Sequence, residues 1–475
     1  VSGWRGQPGR FAGCSWRRGF ALGTCAGLVH FGGTIYWTGA VVATFGGLPP
    51  FVAWLCAMAL AAYMTLYLAA AMAVIGSAVR VVGARGLALA PMAWMAGEFA
   101  RGHVLGGFPW IPLGSATAGL LPIAQLASLV GVYGVSGFIV TYDVLLLLAF
   151  TGRGRARVQA TAAAFAVLGL VSVWGSWRMA DAALTREGTP VTIGLVQPNV
   201  AQTEKWDRRR VDDIARRFDA QTRDAAARGA EVVLWPESAT PYLFNEDTVR
   251  ADAVRALVRQ TGVPLLFGTD ELERGTPDRF YNAAFMLDSG GALAAVYRKI
   301  QLVPFGEFVP LRDLLFFVKP LVEAVSDFAP GDHVTMLPMV GHMASTAICY
   351  EIVYPHLARQ AVRNGAELLT TITNDAWYGE SSAPYQHFAL ATMRTIEEGR
   401  YLARAANTGI SGLVDPYGRI LMSTAVFEPA VVVGQVRFLQ SRTVYAKIGD
   451  LAAWIALAVT AAAIVWLAVA GRRRA

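Results

Sequence analysis

Apolar positions along this chain fall into two patterns. One pattern is long unbroken runs, at about residues 20–45, 51–75, 87–100, 120–150 and 158–177, with a last run of 20 residues at Leu451–Ala470. A helix of about 20 apolar residues crosses a bilayer, so these runs predict transmembrane helices. The uncharged turn Gly46-Gly47-Leu48-Pro49-Pro50 separates the first two runs, and the irregular stretch Gly106-Gly107-Phe108-Pro109-Trp110-Ile111-Pro112 lies between the third and fourth. The other pattern fills the polar middle, from about Arg178 to Asp450. There short apolar runs alternate with amphipathic ones. Strands are predicted at 191–197, 231–235, 264–268, 282–288, 292–297, 343–348, 368–373, 412–415 and 419–422, and helices at 207–227, 251–261, 354–364 and 387–400. Strands alternating with helices predict an α/β domain whose sheets are covered by helices on their outer faces. The expected organisation is N-terminal transmembrane helices over residues 1–178 (about five spans), an α/β domain over 185–445 and a C-terminal transmembrane helix over 451–470.

Composition supports the membrane reading. Of 475 residues, 55% are hydrophobic and 16% charged, against about 25% charged in soluble domains. The net charge of +7 is concentrated at the ends of apolar runs, which points to membrane topology rather than nucleic-acid binding. With residues 1–18 in the cytoplasm and six spans, Arg80, Arg85, Arg153, Arg155, Arg157 and Arg472 to Arg474 are all cytoplasmic; the opposite loops hold little basic charge beyond Arg101. The α/β domain then lies outside the cytoplasm. No cleavable signal peptide is evident. The six histidines show no metal-ligand spacing with each other or with the cysteines, so neither a metal nor a cofactor is expected.

Chemistry is suggested at the ends of predicted strands. Cys349 ends Met343 to Ile348, and it is the one cysteine of the polar middle. A lone thiol in an exported domain is unusual without a role. Glu237 follows Val-Val-Leu-Trp-Pro, and Asn374-Asp375 follows Leu-Leu-Thr-Thr-Ile-Thr. Corresponding strand ends converge at one rim of an α/β fold. Lys299 follows another strand, in a chain with four lysines among its 41 basic residues. The three groups make chemical sense together. A thiol needs a base to become a nucleophile, which Glu237 supplies. Attack on a carbonyl builds an oxyanion, which Lys299 and a backbone N–H stabilise. Glu307 or Glu351 is placed to orient the lysine. Each residue alone also fits an ordinary role, as a core cysteine, a surface lysine or a solvated acid.

Several motifs occur in a fixed order: Trp235-Pro236-Glu237-Ser238, Lys299 with Pro304-Phe305-Gly306-Glu307, Cys349-Tyr350-Glu351, and Asn374-Asp375-Ala376-Trp377-Tyr378-Gly379. Together they resemble the nitrilase, or carbon–nitrogen hydrolase, superfamily, which uses a Glu-Lys-Cys triad on an αββα sandwich. Membrane spans on both sides narrow the resemblance to the apolipoprotein N-acyltransferase family of bacterial inner-membrane enzymes. The likeness extends to Glu98-Phe99-Ala100-Arg101-Gly102, Gly107-Phe108-Pro109-Trp110, Gln197-Pro198-Asn199, Lys205-Trp206, Gln386-His387-Phe388 and Asn407-Thr408-Gly409. It implies that Glu237 is the general base, Lys299 the oxyanion stabiliser and Cys349 the nucleophile. Glu307, Tyr350 and Glu351 are supporting residues, and Trp206, Arg101 and Trp110 contact substrate. Six spans are counted against the eight usual in the family, and the missing ones are expected before Phe20, in keeping with a chain that starts at Val1.

The implied reaction is acyl transfer from a phospholipid, with phosphatidylethanolamine the expected donor, through a Cys349 thioester to the α-amine of an S-diacylglyceryl-cysteine apolipoprotein. The expected protein is a monomer of the cytoplasmic membrane that binds no nucleic acid, with the run Leu314-Leu315-Phe316-Phe317-Val318 as a membrane-touching lid. Three rivals remain: a membrane-tethered amidohydrolase acting on a small amide, a scaffold on an inactive fold, and a transporter built around Asp143. The intact Glu237, Lys299 and Cys349 set disfavours the scaffold, and one buried acid is thin support for transport.

Overall fold

The computed structural model describes residues 15–205, 207, 209–304, 306–308 and 328–472. Trp206 and the run 314–318 lie outside the described residues. By internal contacts the chain divides into two units, one comprising Val1–Gly39, Trp54–Asp181 and Lys447–Ala475, the other Ala40–Ala53 and Ala182–Ala446.

The first unit is helical. Its main helices are α1 (Trp16–Thr34), α2 (Trp37–Phe45, whose second half groups with the other unit), α3 (Pro50–Val82), α4 (Ala90–Arg101), α5 (Ala127–Thr151), α6 (Gly154–Asp181) and a helix at the C-terminal end of the chain, Leu451–Arg472. Among the described residues, four stretches are long and apolar enough to cross a membrane: Pro50–Arg101, Ala127–Thr151, Gly154–Thr185 and Leu451–Ala470. The apolar runs expected at 51–75 and 87–100 are joined through a 3-10 turn at Gly83–Leu89, and the run at 20–45 breaks between α1 and α2. Glycine explains how α1 packs. Gly19, Gly23 and Gly27 recur every fourth residue and so share one helix face. A Cβ on Gly19 would lie 2.3 Å from the Met72 carbonyl oxygen, and one on Gly23 would lie 2.7 Å from the Ala69 Cα. Small residues allow the backbones of α1 and α3 this approach.

The second unit carries two six-stranded mixed sheets. The first runs in the order β12-β1-β2-β3-β4-β5, with β1 Thr189–Gln197, β2 Val232–Leu234, β3 Leu265–Glu273, β4 Arg279–Leu287, β5 Leu293–Arg298 and β12 Ala430–Phe438. The second runs β11-β10-β9-β8-β7-β6, with β6 Leu337–Met339, β7 His342–Ile348, β8 Leu368–Thr373, β9 Leu402–Ala406, β10 Gly412–Val414 and β11 Ile420–Ser423. The sheets face each other, β1 against β9 and β4 against β7. Helices α7 (Val211–Ala227) and α8 (Thr248–Thr261) accompany the first sheet, and α9 (Pro355–Arg363) and α10 (Ala383–Glu398) the second. This is the expected four-layer sandwich. In α7 the buried positions Val211, Ile214, Phe218, Thr222 and Ala225 form one stripe. Ile214, Phe218 and Ala225 join Trp235, Phe244, Phe267 and Phe285 in a dry core, so the first sheet rests on a packed layer.

Candidate active site

Four loops deliver the polar groups. The parallel strands β1, β2 and β3 end at the same rim, and Trp235-Pro236-Glu237 leaves β2 there. Gly268 of β3 passes so close that a Cβ on it would meet the Glu237 Cα at 2.6 Å. Cys349 follows β7 directly, and Asn374 follows the neighbouring parallel strand β8. Lys299 follows β5.

Glu237, Lys299 and Glu307 form one buried network. The Lys299 Nζ donates to Glu237 Oε1 at 3.2 Å and to Glu307 Oε1 at 2.8 Å. Asn282 of β4 bridges the same two oxygens, its Nδ2 donating at 2.8 and 2.7 Å. The other Glu237 oxygen accepts the Asn374 backbone N–H at 2.9 Å. Asn374 is fixed in turn, through Asn407 to the Val200 carbonyl and through its own Nδ2 to Gln202. Glu307 Oε2 accepts the Val303 backbone N–H at 2.8 Å. Lys299 is thus oriented by Glu307. Glu351 acts elsewhere. Its Oε1 accepts from the N–H groups of Ile300 and Gln301 and from the Tyr297 hydroxyl, and its Oε2 from the Ile348 N–H. One buried carboxylate therefore ties the strand end before Cys349 to the turn after Lys299.

The thiol sits on a strained residue. Cys349 has φ +53°, a left-handed conformation that costs a non-glycine residue about 1–3 kcal/mol. Its carbonyl oxygen lies 3.1 Å from His387 Nε2, while His387 Nδ1 faces Asp375 Oδ1 at 3.1 Å. Arg404 Nη2 donates to Asp375 Oδ2 at 2.8 Å. These three side chains, all fully buried, brace the turn that aims the sulfur.

Charge follows burial. Burial pushes the Cys349 thiol well above its usual range, and the Glu237 carboxylate adds to this while Lys299 opposes it. The resting sulfur is therefore held as the neutral thiol. Burial also works against an ionised Glu237, but the Lys299 ammonium and the Asn282 amide overcome it and hold the carboxyl below its ordinary value. Lys299 stays charged for the reciprocal reason: burial lowers it, and Glu237 and Glu307 raise it further than that. The result is an ionised carboxylate, a fixed cation and a neutral thiol, all within electrostatic reach of one another.

Tyr350 is buried beside the thiol, and its hydroxyl accepts from Tyr354 at 3.2 Å. Arg101 and Trp110 belong to the helical unit. Arg101 is buried, with Nη1 donating to the carbonyls of Phe108 and Trp110, and its guanidinium lies 5.3 Å from the Phe31 ring centre. It holds the irregular stretch after α4 in place and lines a cavity of about 30 Å³. Trp110 is fully buried against Trp37. Asn282, and the contact of Lys205 with Glu237, went unread in the sequence; Asn282 lies in mid-strand with no motif around it.

An acid, a lysine and a thiol converging at one rim of a four-layer sandwich define a carbon–nitrogen hydrolase domain. The carbon–nitrogen hydrolase family pattern matches residues 192–444. That of the apolipoprotein N-acyltransferase N-terminal domain matches residues 9–145. An apolipoprotein N-acyltransferase of Geobacter metallireducens is 35% identical over 96% of this chain and 88% of its own length. Its counterparts in Methylococcus capsulatus and Gloeobacter violaceus are each 34% identical, over 94% and 96% of this chain and 86% of their own lengths. Among solved structures, an amidase from Nesterenkonia sp. is similar at a TM-score of 0.41 and 23% identity, over 54% of this chain and 93% of its own. The chain belongs to the apolipoprotein N-acyltransferase family.

Proposed function

We propose that this protein moves a fatty acyl chain from a phospholipid to the N-terminal amine of an S-diacylglyceryl-cysteine apolipoprotein, the last step of lipoprotein maturation. The observation that carries this reading is the buried Lys299, bonded to both Glu237 and Glu307 beside a protonated thiol. Glu237 takes the Cys349 proton as sulfur attacks the sn-1 ester carbonyl. Lys299 stabilises the oxyanion. Collapse breaks the ester C–O bond, the lysophospholipid leaves with the proton from Glu237, and a thioester remains. The amine then attacks the thioester, giving an amide and restoring the thiol, so the kinetics are ping-pong. Phosphatidylethanolamine is the proposed donor, and the acting form is a monomer. Glu307 holds Lys299, Glu351 and Tyr350 shape the turns around the thiol, and Arg101, Trp110 and Trp206 contribute to substrate contact. Positive-inside arginines support a location in the bacterial inner membrane with the catalytic domain on the extracytoplasmic face.

The test is intact mass after the purified protein is mixed with phosphatidylethanolamine and no acceptor. The wild type should gain one acyl mass, which hydroxylamine at neutral pH removes, and Cys349→Ala should gain none. A folded wild type that stays unmodified, yet releases ammonia from small amides, would establish hydrolysis instead.

A further inference from the structure

The thiol has a neutral neighbour that the steps above leave unused. β7 and β8 run parallel, with Ile348 paired to Ile372. One step further, the same register brings Cys349 beside Thr373, the last residue of β8. Paired positions of neighbouring strands share a sheet face, and the Thr373 side chain hydrogen-bonds the Cys349 sulfur. Thr373 is fully buried. Its hydroxyl donates to Asp375 Oδ1 at 2.8 Å.

These contacts close a ring. The Cys349 carbonyl oxygen lies against His387 Nε2, and His387 Nδ1 against Asp375 Oδ1. Asp375 accepts the Thr373 hydroxyl, which returns to the sulfur of the residue where the ring began. Arg404 anchors the ring through the other Asp375 oxygen. Backbone and sulfur of Cys349 are thereby both fixed, at a φ of +53° that few non-glycine residues adopt. Proton supply sets what the hydroxyl can do. A threonine hydroxyl has one proton and two lone pairs. Burial opposes the ionised form of Asp375, but Arg404 and His387 overcome it, so this carboxylate only accepts and takes the hydroxyl proton. Towards the sulfur the hydroxyl offers a lone pair, and the neutral thiol donates its S–H there.

We propose that Thr373 is a positioning residue for the reacting sulfur: its hydroxyl holds the thiol at rest and donates to the sulfur once negative charge develops there. The kinetic side of this assignment rests on the acyl-transfer reading above. When the S–H proton passes to Glu237, the hydroxyl proton turns from Asp375 Oδ1 to the sulfur, and Asp375 keeps Arg404 at 2.8 Å. Thr373 itself neither gains nor loses a proton. The same contact serves the second half-reaction. There the amine forms its bond to the carbonyl carbon, the C–S bond breaks, and the sulfur leaves as thiolate. The amine proton, taken up by Glu237, then restores the thiol. A hydrogen bond to a sulfur that gains charge in the transition state speeds both half-reactions.

The experiment uses the full-length chain with Cys14, Cys25 and Cys56 replaced by serine, so that Cys349 carries its one thiol. Infrared absorption reads the S–H stretch, which falls where other protein groups do not absorb and moves to lower frequency when the S–H donates a hydrogen bond. Thr373→Val removes the hydroxyl and keeps the shape, and Thr373→Ser keeps the hydroxyl. The band of the parent protein should lie below that of an alkanethiol in hydrocarbon, stay there in Thr373→Ser and rise in Thr373→Val. Thioester formation with phosphatidylethanolamine and transfer to a diacylglyceryl lipopeptide are both timed by intact mass. Each should slow about three- to tenfold in Thr373→Val, as for loss of one hydrogen bond, with Thr373→Ser near the parent rate and the half-saturating phospholipid concentration unchanged. A parent band at the free-thiol position would overturn the assignment without any variant. So would parent rates in Thr373→Val, or a Thr373→Ser as slow as Thr373→Val, which would place the loss in packing of the methyl group. A parent protein that forms no thioester would overturn the acyl-transfer reading and the kinetic role with it, whereas one that forms the thioester but whose band ignores Thr373→Val would overturn this assignment alone.

Discussion

At the scale of single residues, the candidate site depends on neutral and backbone donors as much as on charge. Glu237 is held through both oxygens, and Asn282 is the neutral side chain that touches both Glu237 and Glu307. Replacing it with alanine leaves two carboxylates facing one ammonium. Hydrogen bonds to charged groups contribute about 1.5–3 kcal/mol, so Asn282→Ala should slow thioester formation roughly ten- to hundredfold in a folded protein, as read by intact-mass time courses. Asp375 makes a prediction about stability. Burial works against its ionised form, but Arg404 and His387 overcome this and hold its carboxyl well below the usual range. A depressed carboxyl stabilises the fold fully above its unfolded value of about 3.9, and that contribution is lost as pH falls further towards the folded value. Asp375→Asn should therefore cost about 3–5 kcal/mol at neutral pH, the usual cost of breaking a buried pair. The gap from wild type should narrow below about pH 4 in unfolding measured in detergent. A gap that does not change with pH would place the loss in packing rather than in ionisation.

At the scale of elements, close approach matters more than apolar content. The stripe Gly19, Gly23 and Gly27 lets α1 lie on α3, whereas a methyl group added at Gly32 would meet open space. Gly23→Val should destabilise the helical unit by about 1–3 kcal/mol, as overpacking does, while Gly32→Val should leave thermal unfolding unchanged. Equal behaviour of the two variants would mean that α1 does not pack there. Most strands that lead into the site are legible because alternation and turn residues mark them: 368–373 coincides with β8, and 343–348 lies across β7 and its end at Ile348. Three strands escape such a reading, the three-residue β6 among them. The sequence of β12, Ala-Val-Val-Val-Gly-Gln-Val-Arg-Phe, opens on an apolar run without alternation, and pairing with β1 makes it the edge of the first sheet. The sequence of β9, Leu-Ala-Arg-Ala-Ala, carries little strand propensity. It is a strand because β8 and β10 pair with it on both sides, and because Arg404 on it reaches Asp375.

At the scale of the whole molecule, the distribution of arginines makes a prediction about topology. With single cysteines placed in a cysteine-free protein, Glu428→Cys on the catalytic domain should react with a membrane-impermeant maleimide added to cells with a permeabilised outer membrane. Arg155→Cys should react only after the inner membrane is broken. The reverse pattern would place the catalytic domain in the cytoplasm. The sequence alone determined the division into membrane helices and an α/β domain, because hydrophobic run length and periodicity are local properties of a chain. It also singled out Glu237, Lys299 and Cys349, because residues at strand ends in a recurring motif order are visible in one dimension. Tertiary structure decided which acid meets which base. Glu307 rather than Glu351 bonds Lys299, since Glu351 is taken up by backbone N–H groups from two separate turns. Asn282 and Lys205 come into reach of the triad only when strands and loops far apart in sequence are paired. Register and burial, which set those distances and charges, belong to the folded chain and not to any one segment of it.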